Sequence, residues 1–226
     1  MAEIIVALDQ PDGALALRFL DRVPEARWVK VGSILMTREG PGLVRELADR
    51  GLHVFLDLKW HDIPHTVARS VAAAADLSVA MVSVHTLGGM AMLRAAAEAG
   101  RGRCRLVGVT VLTSLDPVAY GDIVGRDRID LSDEAIRLGD LAVRAGLQGV
   151  VCSSHEAERI RRRVGPAPWI VVPGIRRASD PIGDQVRTAT PEEASRMGAT
   201  HLVVGRPLLN ASDPAAVLEE LVEAAA

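Results

Sequence analysis

The amino-acid sequence predicts an α/β fold of the (β/α)8 TIM-barrel class. Eight short apolar runs alternate with helical segments along the 226 residues, and this alternation is typical of a parallel sheet closed by crossover helices. Four helical segments are expected to end at glycine, shortly before the next strand begins: Gly51, Gly100, Gly146 and Gly198. A doubly wound open sheet is the alternative, but no Gly-x-Gly-x-x-Gly motif follows the first strand.

The strands are predicted where valine, isoleucine and leucine cluster between turn residues. In chain order they are 3–8, 28–31, 53–58, 80–84, 105–112, 149–152, 169–172 and 201–204. The whole of residues 1–226 is expected to form one domain, because neither a linker nor a low-complexity segment divides the chain.

The helices are predicted between these strands from apolar spacing and capping residues. Pro11 and Asp12 should begin the first, which turns Leu15, Leu17, Phe19 and Leu20 inward, and Thr37 should cap a second that runs to Arg50. The remaining predicted helices are 66–75, 90–99, 132–144, 156–163, 191–197 and 214–225. Residues 115–131 and 176–190 are expected to be irregular loops, and the second could close over a ligand.

Composition argues against several classes of protein. A net charge of −3 and 3% aromatic residues argue against a nucleic-acid surface. The first nine residues have neither a basic segment nor a long apolar run, so no signal peptide or membrane anchor is expected. Cys104 and Cys152 lie in apolar runs and are expected to be buried thiols in a reducing, cytoplasmic compartment.

Lysine is unusually rare in this chain. Of 26 basic residues only two are lysines, Lys30 and Lys59. Arginine cannot release a proton near neutral pH, whereas neighbouring groups can tune the pKa of a lysine. The bias indicates that lysine is kept chiefly where arginine cannot replace it.

The stretch from residue 53 to residue 66 contains the most informative charges. Asp57 and Lys59 lie two apart on a predicted strand and should therefore point to the same side, while Leu56 and Leu58 point to the other. Asp62 follows the strand and can return towards the same point or reach a neighbouring subunit. A structural salt bridge is the alternative interpretation of Asp57 and Lys59.

Polar residues also end the other predicted strands, where barrel enzymes place their active sites. They are Asp9, Lys30, Asp57, Lys59, His85, Thr113, Arg176 and Arg206. Loops after the seventh and eighth strands often hold phosphate, and Gly205-Arg206 supplies backbone N–H groups and a planar cation there. Gln185 is a predicted hydrogen-bond partner in the preceding loop.

These residues resemble the orotidine 5′-phosphate decarboxylase family. The segment 57–66, Asp-Leu-Lys-Trp-His-Asp-Ile-Pro-His-Thr, is similar to the family signature Asp-x-Lys-x-x-Asp-Ile-Pro-x-Thr. Further matches follow in order along nearly the whole chain: 7–9, 30–32, 111–114, 173–176, 183–185 and 204–206. One departure is His65, where the family usually has asparagine.

The resemblance implies a cofactor-free reaction in which orotidine 5′-monophosphate (OMP) loses CO2 to give UMP, the last step of pyrimidine (UMP) biosynthesis. It implies that Lys59 protonates C6, with Asp57, Asp62 and Lys30 as its catalytic partners. The implied substrate-binding residues are Asp9, Lys30, Asp57, Asp62, Ile63, Thr66, Thr113, Ser114, Arg176, Gln185, Gly205 and Arg206. The resemblance also implies a homodimer in which Asp62 reaches the partner's site.

Two other functions remain open from the sequence. A metal-using phosphosugar decarboxylase or aldolase would share Asp57, Lys59 and Asp62, but it would need an acidic metal ligand where this chain has Lys30. A non-catalytic nucleotide-binding barrel is compatible with the composition but gives no reason for two lysines in one charged site.

Overall fold

A computed structural model describes residues 1–177, 180 and 188–226 of the chain. Eight parallel strands form a closed barrel in chain order, each paired with its neighbours and the last with the first. The strands are β1 Glu3–Ala7, β2 Trp28–Gly32, β3 His53–Trp60, β4 Met81–His85, β5 Arg105–Val109, β6 Gly149–Val151, β7 Trp169–Pro173 and β8 His201–Val204. The predicted fold class is confirmed.

Helices surround the barrel and connect its strands. In the described residues they are α1 Gly13–Leu20, α2 Ser33–Glu39, α3 Pro41–Asp49, α4 Pro64–Ala75, α5 Gly89–Gly100, α6 Pro117–Val124, α7 Leu131–Arg144, α8 Ser154–Val164, α9 Pro191–Arg196, α10 Arg206–Leu209 and α11 Pro214–Ala224. A 3-10 turn, Thr86–Gly88, precedes α5. None of these helices combines the length and apolar character that a membrane span requires.

Alternation along the strands produces two apolar layers. Residues such as Ile5, Phe55 and Met81 fill the interior of the barrel. Their neighbours, such as Val6 and Leu56, pack outwards against the helices in a larger layer. The inward positions nearest the carboxyl ends of the strands are therefore the ones that can carry polar side chains into a site.

The predicted second helix is wrong. The segment contains two helices, α2 and α3, which meet at Gly40, where φ is +66°. Pro41 begins α3, since it fits the first turn of a helix without a lost hydrogen bond. Thr37 consequently lies inside α2 and does not cap a helix.

Residues 115–131 are also more regular than predicted. Asp116 caps α6 by accepting a hydrogen bond from Ala119 N, and Gly125 ends the helix with φ of +67°. Tyr120 is buried in the core, and Glu134 of α7, which is also buried, accepts hydrogen bonds from Arg126 and Arg137. These contacts tie the segment after β5 to α7.

One smaller expectation about α1 is wrong, whereas α5 does end at Gly100 as expected. Leu15 is exposed, because the buried face of α1 is formed by Gly13, Ala16, Phe19 and Leu20. Gly100 is the last residue of α5 rather than a positive-φ cap, and it is needed for space: a Cβ there would lie 2.2 Å from Leu106 Cδ2. Gly51, Gly146 and Gly198 do have positive φ, as expected at helix ends.

Aromatic rings close the amino-terminal end of the barrel. Trp28, Trp169 and His201 are the first residues of their strands, and the His201 ring lies 4.4 Å from Trp169 and 5.0 Å from Trp28. Arg105 places its guanidinium 4.5 Å from the centre of the Trp169 ring. Burial, reinforced by the charge of Arg105, lowers the pKa of His201 from 6.5 to about 4.

We expect this buried histidine to make the fold acid-sensitive. Below pH 6.5 the unfolded chain protonates His201 while the folded chain does not, so stability falls as the pH drops towards about 4. In total, the free energy of unfolding would fall by up to about 3 kcal/mol. Thermal unfolding of His201→Phe should show a weaker loss of stability between these pH values than the wild type. His155→Phe, at an exposed position, is the matched control, and equal pH slopes for all three proteins would contradict the prediction.

Candidate active site

A cavity of about 640 Å³ lies at the carboxyl end of the barrel. The last residues of four strands, Ala7, Val109, Val151 and Pro173, form part of its wall. Eight of the predicted site residues also line it: Asp9, Lys30, Asp57, Lys59, Thr113, Arg176, Gly205 and Arg206. The fold thus brings together charges that are nearly 200 residues apart in the sequence.

Asp57 and Lys59 form an ion pair inside this cavity. Lys59 Nζ lies 2.7 Å from Asp57 Oδ2, and the side chains are 39% and 11% exposed. The prediction that both point to the same side is confirmed, but not through a regular strand. The register between β3 and β4 shifts between Leu56 and Trp60, and Lys59 has a positive φ of 51°. Such a conformation is uncommon for a residue with a side chain.

Asp9 and Lys30 form the second ion pair. Lys30 Nζ lies 2.9 Å from Asp9 Oδ1, and the side chains are 12% and 53% exposed. The two pairs thus bring Asp9, Lys30, Asp57 and Lys59 together with alternating charges, and in the described residues Lys30 pairs with Asp9 rather than with Asp57. The family resemblance also implies a bridge from Lys30 to Asp57, and this bridge stays a prediction. Among the described residues, no group of three or more His, Cys, Asp or Glu is placed to hold a metal ion.

Two arginines occupy the side of the cavity formed by β7 and β8. Arg176 is buried and its backbone N–H donates to Ala189 O, while Arg206 is exposed and begins α10. Asn210, at the end of α10, lines the cavity beside them. Gln185 lies outside the described residues, as does most of the predicted loop at 176–190.

Four predicted site residues lie outside the cavity wall of this single chain. Asp62, Ile63, Thr66 and Ser114 are exposed. Asp62 Oδ1 accepts a hydrogen bond from Ile63 N at 2.6 Å, and Ile63 is 65% exposed although it is apolar. The turn after β3 therefore presents a carboxylate and an apolar side chain outwards.

His85, at the end of β4, is not part of the cavity wall. Its ring stacks on His61 with centroids 5.6 Å apart, and its Nδ1 accepts a hydrogen bond from Leu87 N. Burial and the neighbouring charges of His61 and Lys59 lower its pKa from 6.5 to about 4. His85 is consequently neutral at physiological pH and adds no further cation beside Lys59.

Sequence reasoning missed two polar residues at the site. Asn210 follows the Gly205-Arg206 pair by one helical turn, a spacing that could have indicated it. Ser83 is fully buried in β4 and contacts both Asp57 and Lys59. Its signal was that it is the one polar residue among Met81, Val82 and Val84, two positions before His85.

Comparison with known proteins identifies the family that these residues resemble. The model of the orotidine 5′-phosphate decarboxylase / HUMPS family matches residues 2–221. Orotidine 5′-phosphate decarboxylase of Sodalis glossinidius is 47% identical, with 97% of this chain and 88% of that protein covered. The enzyme of the same name from Vibrio parahaemolyticus is 44% identical, with 97% and 95% covered.

Solved structures agree with this comparison. The crystal structure of orotidine 5′-phosphate decarboxylase from Lactobacillus acidophilus superimposes with a TM-score of 0.88 at 31% sequence identity. The superposition covers 100% of this chain and 99% of the other. The similarity therefore extends over the barrel and over the end of it that contains the cavity.

Proposed function

The chain belongs to the orotidine 5′-phosphate decarboxylase / HUMPS family, and from that premise we propose that it converts OMP to UMP and CO2 with Lys59 as the proton donor. It is a carboxy-lyase of the decarboxylase type in this family. The observation that carries the mechanism is the Lys59–Asp57 pair, with 2.7 Å between Nζ and Oδ2, in the wall of the cavity. No cofactor enters the proposed reaction.

The proposed chemistry follows from where the negative charge develops. When the bond between C6 and the carboxylate breaks, CO2 leaves and the electron pair stays on C6. An ammonium group beside C6 stabilises that pair and gives it a proton. Lys59 then regains a proton from water. Asp57 holds the Lys59 ammonium by their ion pair and places a negative charge near the substrate carboxylate, which disfavours the ground state.

The remaining residues are proposed to bind the nucleotide. Asp9 and Lys30 would hold ribose hydroxyl groups, and Thr113 with Ser114 would read the edge of the pyrimidine. Arg176, Gly205 and Arg206 would bind the phosphate, with Gln185 from the loop between them, since guanidinium groups and backbone N–H groups suit phosphate oxygens. Ile63 and Thr66 complete the proposed set on the side of β3 and α4.

We also propose a homodimer in which Asp62 of one protomer completes the site of the other. The exposed Asp62, beside an apolar Ile63 that is 65% exposed, supports this arrangement. A cytoplasmic location and a place as the last step of UMP synthesis complete the proposal.

Incubation of the purified protein with OMP tests the proposed function. We expect the ultraviolet absorbance of OMP to fall and UMP to appear, with no added metal or cofactor. A metal-using phosphosugar enzyme would leave OMP unchanged, and so would a nucleotide-binding barrel without catalysis. The position of Lys30 in the cavity, paired with Asp9 at 2.9 Å, favours the decarboxylase over a metal site there.

Arg206→Ala should weaken the binding of UMP and of OMP far more than it alters the fold. A lost charge-assisted contact to phosphate costs roughly 1.5–3 kcal/mol, or about 10- to 150-fold in Kd. Turnover should also fall if phosphate binding energy serves the chemical step. Titration calorimetry with UMP measures the change. Arg50→Ala, an exposed arginine that pairs with Glu46, is the control, and an unchanged Kd for Arg206→Ala would remove this residue from the site.

A further inference from the structure

The junction of β3 and β4 contains a local irregularity directly below the reactive lysine. From the pair Leu56–Val82 to the pair Trp60–Val84, β3 advances by four residues while β4 advances by two. The three residues Asp57, Leu58 and Lys59 therefore stand opposite Ser83 alone. Such a bulge redirects a side chain and interrupts the ladder of backbone hydrogen bonds.

Ser83 replaces the interrupted bonds with its side chain. Its Oγ accepts a hydrogen bond from the Lys59 backbone N–H at 2.9 Å and donates one to Asp57 Oδ1 at 2.7 Å. The other oxygen of Asp57 accepts from Lys59 Nζ at 2.7 Å. These three bonds form a closed ring that begins and ends at Lys59.

We propose that Ser83 is a positioning residue for the decarboxylation. Its hydroxyl holds Lys59 in the positive-φ conformation, with φ of 51°, and fixes the orientation of the Asp57 carboxylate, so that Lys59 Nζ projects into the cavity at a set place. The inference rests on the proposed function of Lys59 as the proton donor. Ser83 itself does not line the cavity and acts through Asp57 and Lys59, which do.

The proposed role requires a group that donates and accepts at one point. Ser83 is fully buried, so its hydroxyl is shielded from bulk solvent and its two hydrogen bonds are made within the protein. Without the hydroxyl, the described residues offer the Lys59 N–H no other acceptor and offer Asp57 Oδ1 no donor from β4. Positive φ is unfavourable for lysine unless the surroundings enforce it, so Lys59 and Asp57 are expected to relax away from the observed geometry.

Three substitutions distinguish the effect of losing the hydroxyl from the effect of changing the volume of the side chain. Ser83→Ala removes the hydroxyl, Ser83→Thr keeps it and adds a methyl group, and Ser83→Val has the shape of threonine without the hydroxyl. We expect kcat for OMP to fall about 100-fold in the alanine variant, as for a small misplacement of a reacting group. The Kd for UMP should change little, and threonine should recover much more of kcat than valine.

The threonine and valine pair keeps the test decisive if Ser83→Ala does not fold, because the two side chains share one shape. A full rate in Ser83→Ala or in Ser83→Val would overturn the inference. So would a parallel loss of kcat and UMP binding with threonine no better than valine, which would make Ser83 a packing residue. Turnover by the wild type in the same assay measures the proposed function separately. A failure of that function appears already in the wild type, whereas a failure of the Ser83 inference appears only when active wild type is compared with the variants.

Discussion

Lys59→Arg is expected to abolish turnover of OMP in a protein that still folds and still binds UMP. Arginine keeps the positive charge beside Asp57 but holds its proton far more tightly than lysine and presents a wider, planar head. The backbone at Lys59 gives no separate reason for a loss, since arginine adopts a positive φ as readily as lysine. The side chain is 39% exposed, so the larger head has room. Circular dichroism and calorimetry with UMP would accompany the measurement of turnover.

Lys59→Ala distinguishes proton donation from support of the fold. It should also be inactive, and because it leaves Asp57 without its cation, its stability can move in either direction. If Lys59 only paired with Asp57, arginine would preserve most of the activity that alanine loses. Near-normal turnover of Lys59→Arg would therefore return the pair to the role of a structural salt bridge and remove Lys59 from the reaction.

The barrel could be predicted because its determinants are local. Each strand is an apolar run of a few residues between turn signals, and the order of strands in a closed parallel barrel follows their order in the chain. The strand ends were less predictable. β5 ends at Val109 rather than residue 112, and Val111 and Leu112 turn into the cavity wall instead. Val111 and Leu112 are apolar residues that line the cavity, and a sequence pattern cannot distinguish this from a continuation of the strand.

The sequence contains a signal for the start of α6, but the segment was nevertheless predicted to be a loop. Asp116 and Pro117 are a common beginning for a helix. The polar character of residues 115–131 suggested a loop instead. The helix is held by burial of Tyr120 and by the contact of Arg126 with Glu134, and these are tertiary interactions that a local pattern does not contain.

The sequence predicted which residues form the candidate site better than it predicted how they are arranged. Strand alternation indicated that Asp57 and Lys59 share a side, and the structure places them 2.7 Å apart. The bulge that achieves this depends on Ser83 of the neighbouring strand, so no periodicity within β3 could reveal it. Asp62 is proposed to complete the site of the partner protomer. Its distance from the partner's Lys59 therefore depends on the dimer and not on the sequence pattern of one chain.

Mixing two inactive variants should restore activity if Asp62 completes the partner's site. Lys59→Ala retains Asp62, and Asp62→Ala retains Lys59, so each mixed dimer contains one site with both residues intact. With random exchange, half of the dimers are mixed and each has one complete site of two, so about a quarter of the wild-type activity should return. Turnover is measured after the subunits have been exchanged by dilution and reconcentration.

The matched control mixes Lys59→Ala with Asp57→Ala. Asp57 and Lys59 lie on the same strand and form an ion pair within one chain, so neither site of that mixed dimer regains both residues and activity should stay absent. Separate affinity tags on the two variants would establish that mixed dimers form in both experiments. Mixed dimers of Lys59→Ala and Asp62→Ala that remain as inactive as the control would show that Asp62 acts within its own chain or not at all. The exposed turn after β3 would then need another explanation for its outward carboxylate.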